Sequence, residues 1–263
     1  MHELLHSIRP GYSLSGLVVG ILVGLTGVGG GALMTPLLVI LFGIRATTAV
    51  GTDLLYACVT KTVGTAVHGF SGTVEWPIVR RLAAGSVPFT ALTLVVLAHY
   101  RSRLESGSNA ITTVLGFALI LTAISIVFRK RILSALAEFS SNLSPRGTTL
   151  LTISLGAVLG VLVSLSSVGA GAIGVTFLLI LYPKLPASKL VGSDIAHAVL
   201  LTLIAGIGHW FLGSIDAVLL VSLLVGSIPG VIIGSYISAR IPDKVLRPVL
   251  AGTLAVVGAR LSF

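Results

Sequence analysis

Six side chains in this sequence could carry charge or protons where the surrounding chain is apolar: Asp53, Lys61, His68, Asp194, His197 and His209. Ionisable groups at membrane depth are costly, so they mark substrate or ion pathways by default. Asp53 and Asp194 stand 141 residues apart, each directly after a hydroxyl residue, Thr52 and Ser193. Two readings are open for them: carboxylates facing one central cavity, or residues placed to favour a helix N-terminus. Lys61 follows Asp53 by eight residues, about 80° round a helix. A buried lysine needs a partner, which could be Asp53 or a bound anion. His197, three residues after Asp194, shares its helical face. His68 and His209 each follow their aspartate by fifteen residues and end their segments. Histidines relay protons, and they also serve as ordinary hydrogen-bonded groups at segment ends.

A second kind of chemistry lies in the backbone. The stretch Leu25-Thr26-Gly27-Val28-Gly29-Gly30-Gly31-Ala32 interrupts a long apolar run, and Leu165-Ser166-Ser167-Val168-Gly169-Ala170-Gly171-Ala172 does the same 140 residues later. Glycine costs a helix interior about 1 kcal/mol relative to alanine, so both helices are expected to break there. Irregular backbone inside a membrane lines a cavity or is buried in protein, and paired breaks point to a transport site. Freed amides and helix N-termini favour an anion. Expected binding residues are Thr26, Gly27, Gly29, Gly30, Gly31, Thr52 and Asp53, with Ser166, Ser167, Gly169, Gly171, Ser193 and Asp194 in the second half. Asp53, Lys61, His68, Asp194, His197 and His209 are the expected coupling or charge-relay groups. Gly16, Gly20 and Gly24, at four-residue spacing, read instead as a helix-packing ridge. No Gly-Lys-Ser/Thr follows either stretch, which excludes a nucleotide P-loop. No metal site, cofactor or nucleic-acid partner is expected.

The elements that must position these groups are transmembrane. Of 263 residues, 55% are hydrophobic and 10% charged, with a mean hydropathy of +1.08. That predicts an all-α polytopic membrane protein. Apolar segments fall at about 12–42, 47–70, 76–99, 110–128, 149–182, 188–211, 215–239 and 245–263. The N-terminal segment could be taken for a secretory signal, but its internal repetition argues that it is structure. The lone Cys58 excludes an intramolecular disulfide and reads as a small buried residue.

The segments form two homologous halves. Val50-Gly51-Thr52-Asp53 matches Val191-Gly192-Ser193-Asp194, and Gly72-Thr73-Val74-Glu75 matches Gly213-Ser214-Ile215-Asp216. Residues 1–131 and 148–263 are read as repeats, joined by a linker at 132–147 with a short interfacial helix over Ile132–Phe139. As one helix the 12–42 run would be about 46 Å long, against a hydrocarbon core of roughly 30 Å. A re-entrant hairpin of two half-helices fits better, and it leaves three crossings per half, which inverts the second repeat. Charge agrees. With hairpins, Arg80, Arg81, Arg129, Lys130, Arg131, Arg146, Lys184, Lys189, Arg240, Lys244 and Arg247 share one side, as expected of the cytoplasmic face. Both termini then lie outside the cytoplasm.

These residues resemble the TauE/SafE family of membrane permeases, the sulfite exporter-like proteins. Gly27-Val28-Gly29-Gly30-Gly31 with Pro36-Leu37-Leu38, Val50-Gly51-Thr52-Asp53 and Val191-Gly192-Ser193-Asp194-Ile195-Ala196-His197 carry the resemblance, which spans nearly the whole chain. The second glycine element is degenerate, with Ser167 and Ala170 where Gly27 and Gly30 stand. The resemblance implies a permease for a small sulfur-containing anion, such as sulfite or an organosulfonate, in the cytoplasmic (inner) membrane. Export and proton coupling through the aspartates and histidines are the expectation. The partners expected are the anion, the lipid bilayer and a second copy of the chain in a homodimer. A divalent metal ion transporter using Asp53, Asp194 and His197 is the alternative. An intramembrane enzyme is the alternative of another class, for which no His-Glu-x-x-His element is present.

Overall fold

The computed structural model describes residues 9–26, 31–68, 74–100, 110–136, 143–238 and 243–262, which hold eleven helices and no strand. The first half contributes α1 (Pro10–Thr26), α2 (Gly31–Phe42), α3 (Ala46–His68), α4 (Trp76–His99), α5 (Ala110–Val127) and α6 (Arg129–Ala135). The second contributes α7 (Pro145–Ser166), α8 (Ala172–Leu181), α9 (Ala187–Phe211), α10 (Ala217–Ser238) and α11 (Asp243–Ser262). Helices are what such apolar runs must form in hydrocarbon, where every backbone N–H and C=O has to be paired within its own segment. By length and composition α4, α7, α9 and α10 can each cross a bilayer, and α5 with α6 makes a fifth span if that pair, bent by 72°, counts as one. α6 starts at Arg129, earlier than the interfacial helix expected over 132–139. Large apolar side chains such as Leu14, Val95, Leu150 and Val256 lie on outer faces, where lipid would cover them.

The second glycine stretch breaks its helix as expected. α7 ends where Ser167 turns into the left-handed region at φ 58°, and Gly169 (φ 114°) and Gly171 (φ 115°) complete the turn. Ser166 Oγ holds the break from inside: it donates to Leu162 O at 2.7 Å and accepts from Val168 N–H at 3.2 Å. The chain then runs back. Tyr182, just past α8, shares a 2.9 Å hydrogen bond with Thr152, near the start of α7. In the first half, Tyr12 near the start of α1 stacks edge-on against Phe42 at the end of α2, with centroids 4.8 Å apart. Both glycine-broken segments are therefore hairpins, but the arms of the second are unequal. α7 has 22 residues, about 33 Å, and is no half-helix, whereas the 10 residues of α8 reach only about 15 Å. The expectation of two short arms is corrected here. The first break itself, Gly27–Gly30, lies outside the described residues.

The halves grip each other through helices without side chains in the way. α1 packs on α10 and α7 on α4. A methyl on Gly16 would stand 2.2 Å from Leu223 O, and one on Gly226 would stand 1.8 Å from Ser13 O. Gly16, Gly20 and Gly24 meet Leu223, Ser227 and Val231 in rising order, so α1 and α10 run parallel. The equivalent α3 and α9 run antiparallel: Gly51 faces Ser214 and His209, while Gly206 faces Leu55. Polar ties repeat the exchange. Thr52 Oγ1 accepts from Asp216 N–H at 3.1 Å, and Ser193 Oγ accepts from Glu75 N–H at 2.8 Å. Ser227 donates to Tyr56 Oη at 2.8 Å, while Ser86 Oγ and His197 Nε2 are also 2.8 Å apart. These pairs exchange under the same shift of 141 residues that aligns the halves.

Candidate functional site

α3 and α9 bring the ionisable residues to the two broken helices. Asp53 and Asp194 are both fully buried. Asp53 Oδ2 accepts a hydrogen bond from the Thr35 hydroxyl on α2, the arm that follows the first break. The Ser167 hydroxyl, in the second break, faces the same carboxylate. Asp194 lies over the N-terminal turn of α8. The Gly171 amide faces it, and the missing side chain of Gly174 makes its room, since a methyl there would stand 2.0 Å from Oδ1. Among the described residues, Asp53 Oδ1, both Asp194 oxygens and Ser167 Oγ have no hydrogen-bond partner. Buried polar atoms left in this state are rare and call for an explanation.

Lys61, 7% exposed, lies within electrostatic reach of the two carboxylates. Its ammonium interacts electrostatically with Asp194 and, less strongly, with Asp53. The cluster holds two carboxylates and one ammonium, a formal charge of −1 when all three are ionised. Removing such ions from water costs several kcal/mol each, and mutual attraction offsets this only when the geometry is good. The backbone helps at one point. The N-terminus of α8 carries partial positive charge, and Asp194 sits where a bound anion would sit.

The histidines divide. His197 stands beside the cluster, held through Nε2 to Ser86 of α4, with Nδ1 unpaired among the described residues. His209 is elsewhere: its Nε2–H donates to Ser164 O at 2.9 Å, so it braces α7 one turn before the break. His68 ends α3, and its side chain lies outside the described residues, as do Gly27, Gly29 and Gly30 and the side chain of Thr26. Gly31 opens α2. Thr52 and Ser193 are occupied by their interhelical ties, and Ser166 by the break itself, so their hydroxyls are already engaged. Gly169 and Gly171 shape the turn ahead of α8.

Sequence reasoning did not single out Thr35, Gly174, Ser86 or Tyr56. Thr35 and Gly174 left a weak signal, one a lone hydroxyl beside Pro36 and the other a further glycine three residues after Gly171. Nothing in the spacing of Ser86 or Tyr56 identifies their partners, because each reaches across to the other half.

A multi-span helical bundle with buried charge at its helix breaks is the architecture of a membrane transporter. The family model described as Sulfite exporter TauE/SafE matches residues 12–261, and the chain belongs to that family. It is 42% identical over 249 residues to the probable membrane transporter protein YjnA of Bacillus subtilis (strain 168), covering 94% of this chain and 97% of the relative. It is 31% identical over 250 residues to the probable membrane transporter protein YdhB of the same organism, again covering 94% and 97%. No solved structure matches.

Proposed function

We propose that this transporter moves a small oxyanion, sulfite or an organosulfonate, across the cytoplasmic membrane in company with a proton, and that it works as an exporter. The observation that carries the reading is Asp194 seated on the N-terminus of α8 with Lys61 as its charge partner. In that position the carboxylate is an internal surrogate for the cargo. An arriving oxyanion competes with it for the Gly171 amide, the α8 dipole and Lys61. Two anions cannot share so small a buried site without a compensating charge, since each would sit in the other's repulsive field at low dielectric. A proton on Asp194 removes the conflict. Proton and anion then enter together, and Asp194 returns to α8 when both have left. Asp53, held by Thr35, stays as the fixed negative group that keeps Lys61 in place.

The same reading takes the halves as an inverted repeat of four apolar segments each, with both termini outside the cytoplasm. The antiparallel course of α3 and α9, the two hairpins and the one-sided distribution of Lys and Arg support it. Rocking one half against the other about the shared cluster would expose the site alternately, as inverted repeats do. A homodimer in the inner membrane is the assembly in which we place it. The experiment is a thermal-shift screen of the purified protein against sulfite, thiosulfate, alkyl sulfonates, carboxylates and divalent cations. A rise in Tm with sulfur oxyanions is expected. A rise with divalent cations alone would replace this reading with metal transport.

A further inference from the structure

A second basic site lies away from the buried cluster, where α4 and α7 begin and α8 ends. A cleft of about 320 Å³ opens there between Arg81 of α4, Thr148 in the first turn of α7, and Tyr182 and Lys184 after α8, with Leu143 and Leu181 among its apolar walls. Among the described residues no carboxylate lines it. Arg81 is held in a defined pose. Its Nη1–H donates to Tyr182 Oη at 3.0 Å, and Tyr182 is itself fixed 2.9 Å from Thr152. A guanidinium is a planar fork of donors suited to phosphate oxygens, and tying one arm to Tyr182 presents the rest of the fork in a fixed direction. Lys184, exposed on the loop after α8, adds a second cation at the rim.

The walls decide what such a pair of cations would hold. The cations would meet the charge of an oxyanion, whereas leucines and prolines make up most of the remaining lining. Cations above apolar walls at the end of membrane helices match a phospholipid, with its phosphodiester above its glycerol and acyl chains. We infer that this cleft binds the phosphate-bearing headgroup of an anionic membrane lipid. The inference is independent of what the transporter carries. A lipid seated there would tie α7 and α8, the two arms of one hairpin, to α4 of the other half.

The test is native mass spectrometry of the full-length protein released from micelles containing phosphatidylglycerol and phosphatidylcholine in equal amounts. Retention of one phosphatidylglycerol in preference to phosphatidylcholine is expected, weakened about fivefold in Lys184→Gln, the loss typical of one cation at an anionic surface. Arg81→Gln should weaken it at least as much. Lys184 is a surface side chain, so its variant keeps the test decisive even if Arg81→Gln fails to fold. Equal retention of the two lipids, or no change in Lys184→Gln, would overturn the site. Displacement of the lipid by millimolar inorganic phosphate would overturn the lipid assignment and make the cleft a free-oxyanion site.

Discussion

Asp53 and Asp194 occupy equivalent positions in the two halves, yet their surroundings differ. Asp53 is tied by Thr35 and backed by Ser167. Asp194 has no side-chain donor among the described residues and rests on a bare helix end over Gly174. The same asymmetry recurs around them. Lys61 matches Thr202, and Tyr56 matches His197, under the shift that aligns the halves. The aspartates thus recur in both halves, whereas Lys61 and His197 each stand in one half only. On the proposed reading, Asp53 is the fixed carboxylate and Asp194 the movable one of a coupled transporter.

The strongest way to break the comparison is to remove the charge both carboxylates share. Lys61→Met should abolish transport and lower stability by about 3–5 kcal/mol, the cost of leaving buried charge uncompensated. Adding Asp194→Asn to it should restore much of the stability and none of the transport, which thermal melting and flux assays would separate. Next come the aspartates singly. Asp194→Asn should keep anion binding and lose its coupling to protons, whereas Asp53→Asn, which still accepts from Thr35 and keeps the fold, should weaken anion binding by releasing Lys61. Equal phenotypes would mean that the two positions are not specialised.

Gly174→Ala sharpens the picture with a smaller change. The added methyl would push the Asp194 carboxylate off α8, and overpacking of this kind costs about 1–3 kcal/mol. Anion binding should tighten or lose its pH dependence while the protein still folds, as calorimetry at two pH values would show. Tyr56→Phe removes one buried hydrogen bond to Ser227 and should cost about 1 kcal/mol with transport retained. Smallest of all is Lys189→Gln. It breaks a half-exposed pair with Glu75, 2.5 Å apart, and should change stability, read by thermal melting, by no more than an exposed ion pair allows, about 0–1 kcal/mol.

What could be read from the sequence follows from how local each signal is. The second helix break announces itself in Ser167-Val168-Gly169-Ala170-Gly171, because closely spaced glycines destabilise a helix wherever they occur. The packing ridge of Gly16, Gly20 and Gly24 is equally local. The importance of Asp53, Lys61 and Asp194 follows from their cost in an apolar run. Contacts between the halves were hidden. Thr52 and Ser193 stand next to the aspartates in sequence, yet their hydroxyls secure the opposite half, and only the fold reveals that. A helical wheel puts Lys61 about 80° from Asp53, but its flexible four-carbon stem lets it serve both carboxylates. The length of α7 escaped because its first residues, Pro145-Arg146-Gly147-Thr148, are not apolar and lie before the run at 149–182, so the turn falls about two-thirds of the way along the hairpin.

The central claim is that Asp194 exchanges its place on α8 for the anion by taking a proton. The most direct measurement is the flux, in proteoliposomes, of whichever oxyanion most raises Tm, with and without an imposed pH gradient, for the wild type and Asp194→Asn. The account predicts that the gradient drives accumulation in the wild type and has no effect on the variant, which still exchanges anion down its own gradient. A wild-type flux indifferent to the pH gradient would contradict it.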